Sequence, residues 1–396
     1  MRSYIKHFVL AGLLTGALIV TLNWTMDPYN IFDGPHIEGI NTQKPVIKEN
    51  ERIYKTVRLA NQTADVVLLG TSRADNGLDP LHPVFAGRRA VNLALPSQPY
   101  SESRLLFDRM TRTKPVTVVF GIDFFPANAY FNAPPDFVLD NYSPYRKLEL
   151  LTNIATTRNS LKTLFDQSEP SVSWTGDGHI VRTSRAINPA KDFREGLAIG
   201  TYLPEPQCDF VFKSGSNQPL EDVRSIFSRA YQENIDLRVF ISPSHAWQWE
   251  TIAAAGLWNR WEEWKRRLVN LNESEAVKTG HPPFPIWDFS GYNSVTTEPV
   301  HHLKDTVNGM QYYFDASHYS PEAGNLVLDK IFNYRDPSRK APDDFGVRLT
   351  VSNIETELAR IRSERQLYRR SRTGEAAELA AMAKVAASHM TCRIQQ

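Results

Sequence analysis

The amino-acid sequence predicts an α/β fold built around a mostly parallel sheet. Two observations support this prediction. Short runs of apolar and β-branched residues, such as residues 116–122, are typical of buried strands. Longer helix-favouring segments separate these runs along the chain, and such alternation is the pattern of strands joined in parallel through helices.

Five strands are expected, with helices between several of them. The strands cover residues 65–69, 90–93, 116–122, 237–241 and 285–289. Helices are expected over residues 101–112, 220–233 and 247–271, the first with Ser101 as its N-cap. A further helix is expected to begin with Ser320 as N-cap and Pro321 at its first position.

Composition and charge exclude several classes of function. The chain has 396 residues, 41% hydrophobic and 22% charged, which is an ordinary balance for a globular protein. Its 45 basic and 44 acidic side chains leave a formal net charge of +1, so nucleic acid is not an expected partner. Two cysteines, Cys208 and Cys392, exclude a disulfide-rich scaffold and a Cys-x-x-Cys metal site. They either pair in an oxidising compartment or remain two separate thiols.

An uncharged stretch over residues 8–26 predicts a membrane-spanning helix. As a helix it would be about 28 Å long, close to the thickness of a bilayer core. Arg2 and Lys6 precede it and Asp27 follows it, so the positive-inside rule places the N-terminus in the cytoplasm and the rest of the chain across the membrane. A cleaved signal peptide is the alternative, but no small-x-small cleavage site follows the apolar run.

The sequence predicts four regions. Residues 1–26 are the membrane anchor, and residues 27–61 are a polar lead-in to the main domain. Residues 62–334 are the α/β domain, with an insertion at about residues 124–218 that is rich in aromatic, Asn, Pro and Ser residues. Residues 335–396 are a helical extension, either a solvated helix or a surface that docks on a partner or on lipid headgroups.

A serine, a histidine and an aspartate are the candidate catalytic residues. The Gly-Thr-Ser turn at residues 70–72 follows a buried strand, so Ser72 is expected at the carboxyl edge of the sheet, where α/β folds place their chemistry. The Asp-Ala-Ser-His segment at residues 315–318 precedes the last predicted helix. His318 can take the proton of Ser72 while Asp315 orients the imidazole, an arrangement that suffices for acyl transfer.

These two segments, Gly70-Thr71-Ser72 and Asp315-Ala316-Ser317-His318, resemble the first and last sequence blocks of the SGNH, or GDSL-like, hydrolase superfamily. The resemblance covers roughly residues 62–333 and implies a flavodoxin-like three-layer sandwich with a central parallel sheet. With the N-terminal anchor and the Asp-Pro-Tyr that follows it, the chain most resembles bacterial envelope proteins linked to O-acylation of polysaccharides. The alginate acetylation proteins are examples, and the teichoic-acid D-alanylation protein is a more distant one.

The residues around this site depart from the family pattern. The glycine that usually donates to the oxyanion from the second block is missing, and the backbone N–H of Ser97 is the nearest substitute. The usual oxyanion-binding asparagine of the third block is replaced by Asp123, which repels an anion when ionised. Arg73 either compensates by holding negative charge or pairs with an acid such as Asp75 or Asp123. His245 either lines the pocket or is a structural loop histidine.

The resulting prediction is a single-pass protein of the bacterial inner membrane with a periplasmic SGNH-like domain. It would be a serine-dependent esterase or O-acyltransferase acting on an envelope or exported polysaccharide, with a membrane-bound acyltransferase as a further partner. The alternative is a non-catalytic glycan-binding or assembly subunit of such a complex. No cofactor or metal is expected, because His281, His301 and His302 lack the spacing of a metal site. Trp258, Trp261 and Trp264 at helical spacing favour core packing over sugar stacking.

Overall fold

The chain forms two compact units. The computed structural model describes residues 1–112, 116–168, 172–182, 199–300 and 310–389. Residues 1–62 and 135–184 form the first, here called the N-terminal unit, and residues 63–134 and 185–396 form the second, here called the sheet unit. This division differs from the predicted one, because the lead-in belongs with part of the insertion and the C-terminal extension belongs with the sheet. Contacts between segments distant in sequence leave no local signal, which is why composition alone did not show this pairing.

The elements are numbered here in chain order. The strands are β1 (Val66–Leu69), β2 (Ala90–Asn92), β3 (Thr117–Ile122), β4 (Val172–Trp174), β5 (Ile180–Arg182), β6 (Asp236–Ile241), β7 (Ile286–Asp288) and β8 (Val347–Leu349). The α-helices are α1 (Arg2–Met26), α2 (Glu51–Ile53), α3 (Ser72–Gly77), α4 (Tyr100–Met110), α5 (Arg146–Thr152), α6 (Ile154–Phe165), α7 (Ile199–Tyr202), α8 (Pro219–Gln232), α9 (Ala246–Ala254), α10 (Trp258–Thr279), α11 (Pro321–Phe332), α12 (Ile354–Ser371) and α13 (Thr373–His389).

A six-stranded sheet organises the sheet unit. The strand order is β2-β1-β3-β6-β7-β8, and every neighbouring pair is parallel except β7 with β8. Every residue of β1 and β3 is buried, as expected for central strands covered on both faces. The predicted α/β fold with a mostly parallel sheet is therefore confirmed, and each of the five predicted strands is found to within one residue at either end. The antiparallel edge strand β8 was missed because its three residues lie in a region predicted to be helical.

Two of the helix predictions need correction, and the predicted N-cap of α11 is confirmed. The helix predicted over residues 247–271 is two helices, α9 and α10, because the chain turns at Gly256, whose φ is +73°. Ser101 is not an N-cap, since α4 begins one residue earlier with Pro99 in that position. Ser320 occupies the N-cap of α11, but its hydroxyl donates to the carbonyl of Gln311 and does not accept from the helix.

Helix α10 packs its tryptophans into the core of the sheet unit. Trp261 and Trp264 are fully buried, which is the core-packing alternative of the sequence prediction. Helix α12 then packs against another side of α10. Its Arg362 pairs with Glu262 at 2.7 Å, and the apolar side chains Ile354, Leu358 and Ile361 are buried. The predicted extension thus contains β8, α12 and α13, and the apolar face of α12 packs within the sheet unit.

Two glycines let α3 and α11 approach each other closely. A Cβ on Gly324 would lie 1.6 Å from the carbonyl oxygen of Gly77, and a Cβ on Gly77 would overlap the ring of Tyr319. Side chains at either position would therefore push the helices apart. Because Ser72 opens α3 and His318 lies shortly before α11, this contact brings the two predicted catalytic segments together.

The N-terminal unit contains α1 and a small core of its own. Helix α1 has a mean hydropathy of 1.9 over its most apolar 18-residue window, so it is long and apolar enough to cross a membrane or to be a signal sequence. Most of its side chains are exposed, but Asn23 and Met26 near its end are buried. The core of this unit is formed by apolar residues from its different segments, namely Tyr29, Ile31, Phe32, Val46, Val57 and Leu150.

Candidate active site

Ser72 lies at the carboxyl edge of the sheet, as predicted. Strand β1 ends at Leu69, and the chain turns through Gly70 with φ at +147°. A Cβ on Gly70 would lie 2.8 Å from the carbonyl oxygen of Gly121, so only glycine fits this turn. Thr71 caps α3, accepting from the backbone N–H of Arg73, and Ser72 is the first helical residue and half-buried.

His318 and Asp315 share a tight loop before α11. Tyr313 and Tyr319 form an antiparallel bridge that closes this loop. Within it, one oxygen of the Asp315 carboxylate accepts from the backbone N–H groups of Ser317 and His318, at 2.7 and 2.8 Å. The carboxylate is therefore fixed by the backbone of the segment that carries the histidine.

The structure brings Ser72, His318 and Asp315 into one hydrogen-bonded chain. The Ser72 hydroxyl lies 2.8 Å from Nε2 of His318, and Nδ1 of His318 lies 2.6 Å from the second Asp315 oxygen. An ionised carboxylate only accepts, so Nδ1 carries the ring proton and Nε2 is left to accept from the serine. This tautomer is the one that a general base next to a serine nucleophile requires.

The environment of Asp315 keeps its carboxylate charged. Burial opposes its ionisation, but the neighbouring His318 ring and the two backbone N–H donors outweigh burial and hold the pKa of Asp315 below its ordinary value. A carboxylate that is ionised at neutral pH can stabilise a positive charge forming on the imidazole.

Of the two alternatives for Arg73, the structure shows the ion pair. Its guanidinium lies 3.0 Å from the carboxylate of Asp123, and the two side chains are only 5% and 3% exposed. Burial works against the charge, but Asp123 and the hydroxyl of Tyr202 raise the pKa of Arg73 above its ordinary value. The positive charge of Arg73 is thus balanced inside the protein by the negative charge of Asp123.

The Arg73–Asp123 pair sits in a network that ties the two motifs together. The guanidinium also donates to the hydroxyls of Ser317, at 3.0 Å, and Tyr202, at 3.2 Å. The Asp123 carboxylate accepts from the hydroxyl of Thr71 at 2.5 Å. Sequence reasoning missed Tyr202 because it lies in the predicted insertion, far along the chain from both motifs. Thr71 was visible only as part of the Gly-Thr-Ser turn.

His245 is a structural histidine and does not line an open pocket. It is fully buried; Nε2 donates to the carbonyl of Glu298 at 2.7 Å, and Nδ1 accepts from the backbone of Trp247 as the N-cap of α9. Its backbone N–H donates to the carbonyl of Ala316 at 3.0 Å, which supports the loop between Asp315 and His318. Burial lowers the pKa of His245 from 6.5 to about 4, so the ring is neutral at neutral pH.

The loop after β2 carries Ser97 and a second polar residue that sequence reasoning missed. Ser97 is half-buried with φ at +50°, and its role as an oxyanion donor stays a prediction. The next residue, Gln98, is 1% exposed, and its Oε1 accepts from the backbone N–H of Gly70 at 3.3 Å. Nε2 of Gln98 is buried with no acceptor among the described residues. Exchanging the two amide atoms would set a donor against the Gly70 N–H, so this bond fixes the orientation.

No metal site is visible in the part of the chain that the structure describes. Groups of three or more histidine, cysteine, aspartate or glutamate side chains with suitable geometry are absent from these residues. His301, His302 and Cys392 lie outside the described residues. His281 lies near the side chain of Asn234, at 3.2 Å, on the surface.

The chain matches no family model, and no curated protein or solved structure is similar enough to it to count as a match. Membership of the SGNH superfamily therefore stays a prediction. The arguments for function that follow rest on the geometry of this chain's own residues.

We expect the Arg73–Asp123 pair to contribute strongly to stability. Arg73→Met or Asp123→Leu alone should each cost about 3 to 5 kcal/mol, because each leaves an uncompensated buried charge. The double variant should cost less than the sum of the two. Urea unfolding of the detergent-solubilised protein, followed by tryptophan fluorescence, gives these values. Lys340→Met is the matched control, since its pair with Asp343 is exposed and should be silent. Strict additivity of the two buried substitutions would contradict the ion pair.

We expect His245 to make the folded state sensitive to acid. The unfolded chain binds a proton near pH 6.5, whereas folded His245 does so only at about 4, so stability is lost as the pH falls through this window. The loss should amount to about 3 kcal/mol, from about 1.4 kcal/mol for each pH unit. Urea unfolding at pH values from 7 to 4 should show a shallower pH dependence for His245→Asn, which keeps a neutral N-cap. His36→Asn, at an exposed position, should behave as the parent does. Parallel curves for His245→Asn and the parent would contradict this assignment.

Proposed function

We propose that this protein is a serine-dependent acyl esterase or O-acyltransferase. The observation that carries the proposal is the continuous hydrogen-bonded chain from Ser72 through His318 to Asp315. Serine is a weak nucleophile on its own, and a neighbouring base with an oriented ring is what activates it. The half-buried position of Ser72 leaves its hydroxyl within reach of a substrate.

The reaction begins when the Ser72 oxygen attacks the carbonyl carbon of an ester. His318 takes the serine proton at Nε2, and Asp315 stabilises the imidazolium that results. The tetrahedral intermediate collapses when His318 gives that proton to the departing alcohol oxygen, which leaves the acyl group on Ser72. Water or a sugar hydroxyl then attacks the acyl carbon while His318 accepts its proton, and the bond to Ser72 breaks as His318 returns that proton to the serine oxygen.

Gln98 fills the role of the missing oxyanion donor in this proposal. Its amide is held at Gly70, two residues before Ser72, and its Nε2 has no acceptor among the described residues. A buried donor left without a partner costs about 1 to 3 kcal/mol, a cost that an anionic oxygen in the intermediate would remove. Asp123 does not oppose this arrangement, because its charge is balanced by Arg73.

The strand order supports the proposed SGNH-like, flavodoxin-like architecture. Counted in sequence, the five parallel strands run 2-1-3-4-5 across the sheet, which is the order of flavodoxin-like folds. The polysaccharide acceptor, the membrane-bound acyltransferase partner and the periplasmic location follow from the family resemblance. Helix α1 serves as a single-pass inner-membrane anchor in this proposal, consistent with its length and hydropathy.

The second candidate is a non-catalytic glycan-binding or assembly subunit. One observation favours it: the residue at the usual oxyanion asparagine position, Asp123, is committed to an internal ion pair and offers no donor. The two candidates differ in whether Ser72 reacts.

We expect Ser72→Ala to abolish reaction at this site. Hydrolysis of a chromogenic acetyl ester by the full-length protein in detergent should fall by at least about 10³-fold, because the nucleophile is lost. Covalent labelling by a serine-directed fluorophosphonate should also disappear, as intact-protein mass spectrometry would show. Ser317→Ala is the matched control, since this neighbouring hydroxyl contacts Arg73 and is not the nucleophile; it should remain labelled. An unlabelled parent that hydrolyses no faster than Ser72→Ala would favour the non-catalytic candidate.

We expect Gln98→Met to lower kcat by about 10² to 10³-fold with little change in KM, the usual effect of losing an oxyanion donor. Asn272→Leu is the control, since this buried amide donates to the carbonyl of Phe284, away from the segments that carry Ser72 and His318. It should reduce stability to a similar degree without the same loss of kcat. A kcat for Gln98→Met within threefold of the parent would remove Gln98 from the mechanism.

A further inference from the structure

Helix α6 of the N-terminal unit buries its polar face and exposes its apolar face, the opposite of a helix on a water-soluble protein. Its fully buried side chains are the hydroxylated residues Thr156, Ser160 and Thr163. Its opposite face carries large apolar side chains, of which Ile154 is 84% and Phe165 is 82% exposed, with Leu161 also exposed between them. At 100° per residue these apolar positions fall within about 40° of one another, on the side away from the hydroxyl groups. The exposed Arg158 lies about 20° from Phe165 at the margin of this stripe, and its long side chain can extend towards the headgroups. A helix in water buries its apolar stripe, so the exposed apolar stripe of α6 is the pattern expected for a helix in contact with lipid.

The polar face of α6 packs against the end of α1. Asn23 of α1 is fully buried and donates to the hydroxyl of Thr157 at 3.1 Å and to the carbonyl of Leu151 at 2.8 Å. Ser160 donates back to the Asn23 side chain at 2.9 Å. Small hydroxylated residues and asparagine joined by hydrogen bonds are the typical contact between helices in lipid, where apolar side chains gain nothing by facing each other.

The length of α1 places this contact at membrane depth. The uncharged stretch over residues 8–26 is about 28 Å long as a helix, and a bilayer core is about 30 Å thick. If α1 spans the bilayer, its last turns, including Asn23, are needed to complete the span. The part of α6 that contacts Asn23 then lies at the edge of the hydrocarbon. With twelve residues, α6 is about 18 Å long and too short to cross the membrane itself.

The charges around α6 favour the same location. Residues 146–166 carry the cations Arg146, Lys147, Arg158 and Lys162 against the anions Glu149 and Asp166. This excess of basic side chains suits the anionic headgroups of a membrane surface. Leu148 on the neighbouring helix α5 is also exposed, so the apolar surface continues beyond α6.

We propose that α6 is embedded in the bilayer leaflet in which α1 ends, with Ile154, Leu161 and Phe165 in contact with lipid acyl chains. This inference rests on the proposed anchoring role of α1. It makes the N-terminal unit a two-point membrane attachment, with one helix spanning the bilayer and a second lying partly within it.

Photocrosslinking of the full-length protein in vesicles tests this placement. The photoreactive residue p-benzoylphenylalanine is introduced singly at Phe165, Ile154, Leu14 or Val277, and the protein is reconstituted in vesicles of phosphatidylethanolamine and phosphatidylglycerol. After irradiation, intact-protein mass spectrometry detects a phospholipid adduct. Val277 is the matched control, being 72% exposed and apolar but located on α10 of the sheet unit. We expect lipid adducts at Phe165 and Ile154 at least tenfold above Val277.

The position in α1 separates failure of this inference from failure of the anchor. If lipid adducts form at Leu14 but their yield at Phe165 and Ile154 is no higher than at Val277, α6 is not embedded and the anchor stands. If the yield at Leu14 is also no higher than at Val277, the anchor is wrong and this inference fails with it. Crosslinks at Phe165 that join two copies of the chain, seen as a doubled mass, would overturn lipid as the occupant of this face.

Discussion

The buried ion pair between Arg73 and Asp123 is the interaction on which the geometry of the candidate active site depends. Arg73 follows Ser72 directly, Asp123 follows the end of β3, and the same guanidinium donates to Ser317, next to His318. One charged group therefore fixes three segments that are far apart in the sequence. Such a charge is tolerated away from water only because every partner is in place, so small displacements of any segment are costly. This gives the hydrogen bond between Ser72 and His318 a rigid support.

The same pair leaves Asp123 with no hydrogen-bond donor to offer, so the proposed reaction takes its oxyanion donor from another residue. An aspartate that is paired with arginine has no proton to offer an anion, so Asp123, directly after β3, contributes to structure and not to charge stabilisation. In the proposed function the loop after β2 supplies this donor, since Gln98 is held in one orientation by the Gly70 N–H and its Nε2 has no acceptor among the described residues. The proposed function thus takes an amide from the loop after β2 in place of the asparagine that the resembled family usually carries after the third strand.

The sequence predicted those features of the fold and the candidate site that depend on neighbouring residues, and it missed those that depend on contacts between distant segments. The positions of Ser72, Asp315 and His318 were predictable because each motif adjoins a strand or helix with a clear pattern, and Asp315 and His318 share one short loop. The partner of Arg73 was not predictable, because the sequence alone does not distinguish Asp75 from Asp123 as its acid. Only the packing of β3 against α3 brings Asp123 to the guanidinium. Gln98 belongs to no recognised motif, and the unpartnered Nε2 on which its proposed role depends is visible only in the packed structure. The pairing of residues 27–61 with residues 135–184 is equally invisible, since it depends on contacts over long sequence distances.

Helix α6 differs in its burial pattern both from the apolar core of its own unit and from the sheet unit. In the sheet unit, Trp261 and Trp264 of α10 are buried. At the contact of α6 with α1, Asn23 and Ser160 are buried while Phe165 is exposed. In the proposed anchoring role of α1 the bonds of Asn23 with Thr157 and Ser160 are kept, whereas cleavage of α1 would leave these two hydroxyl groups to bond with water.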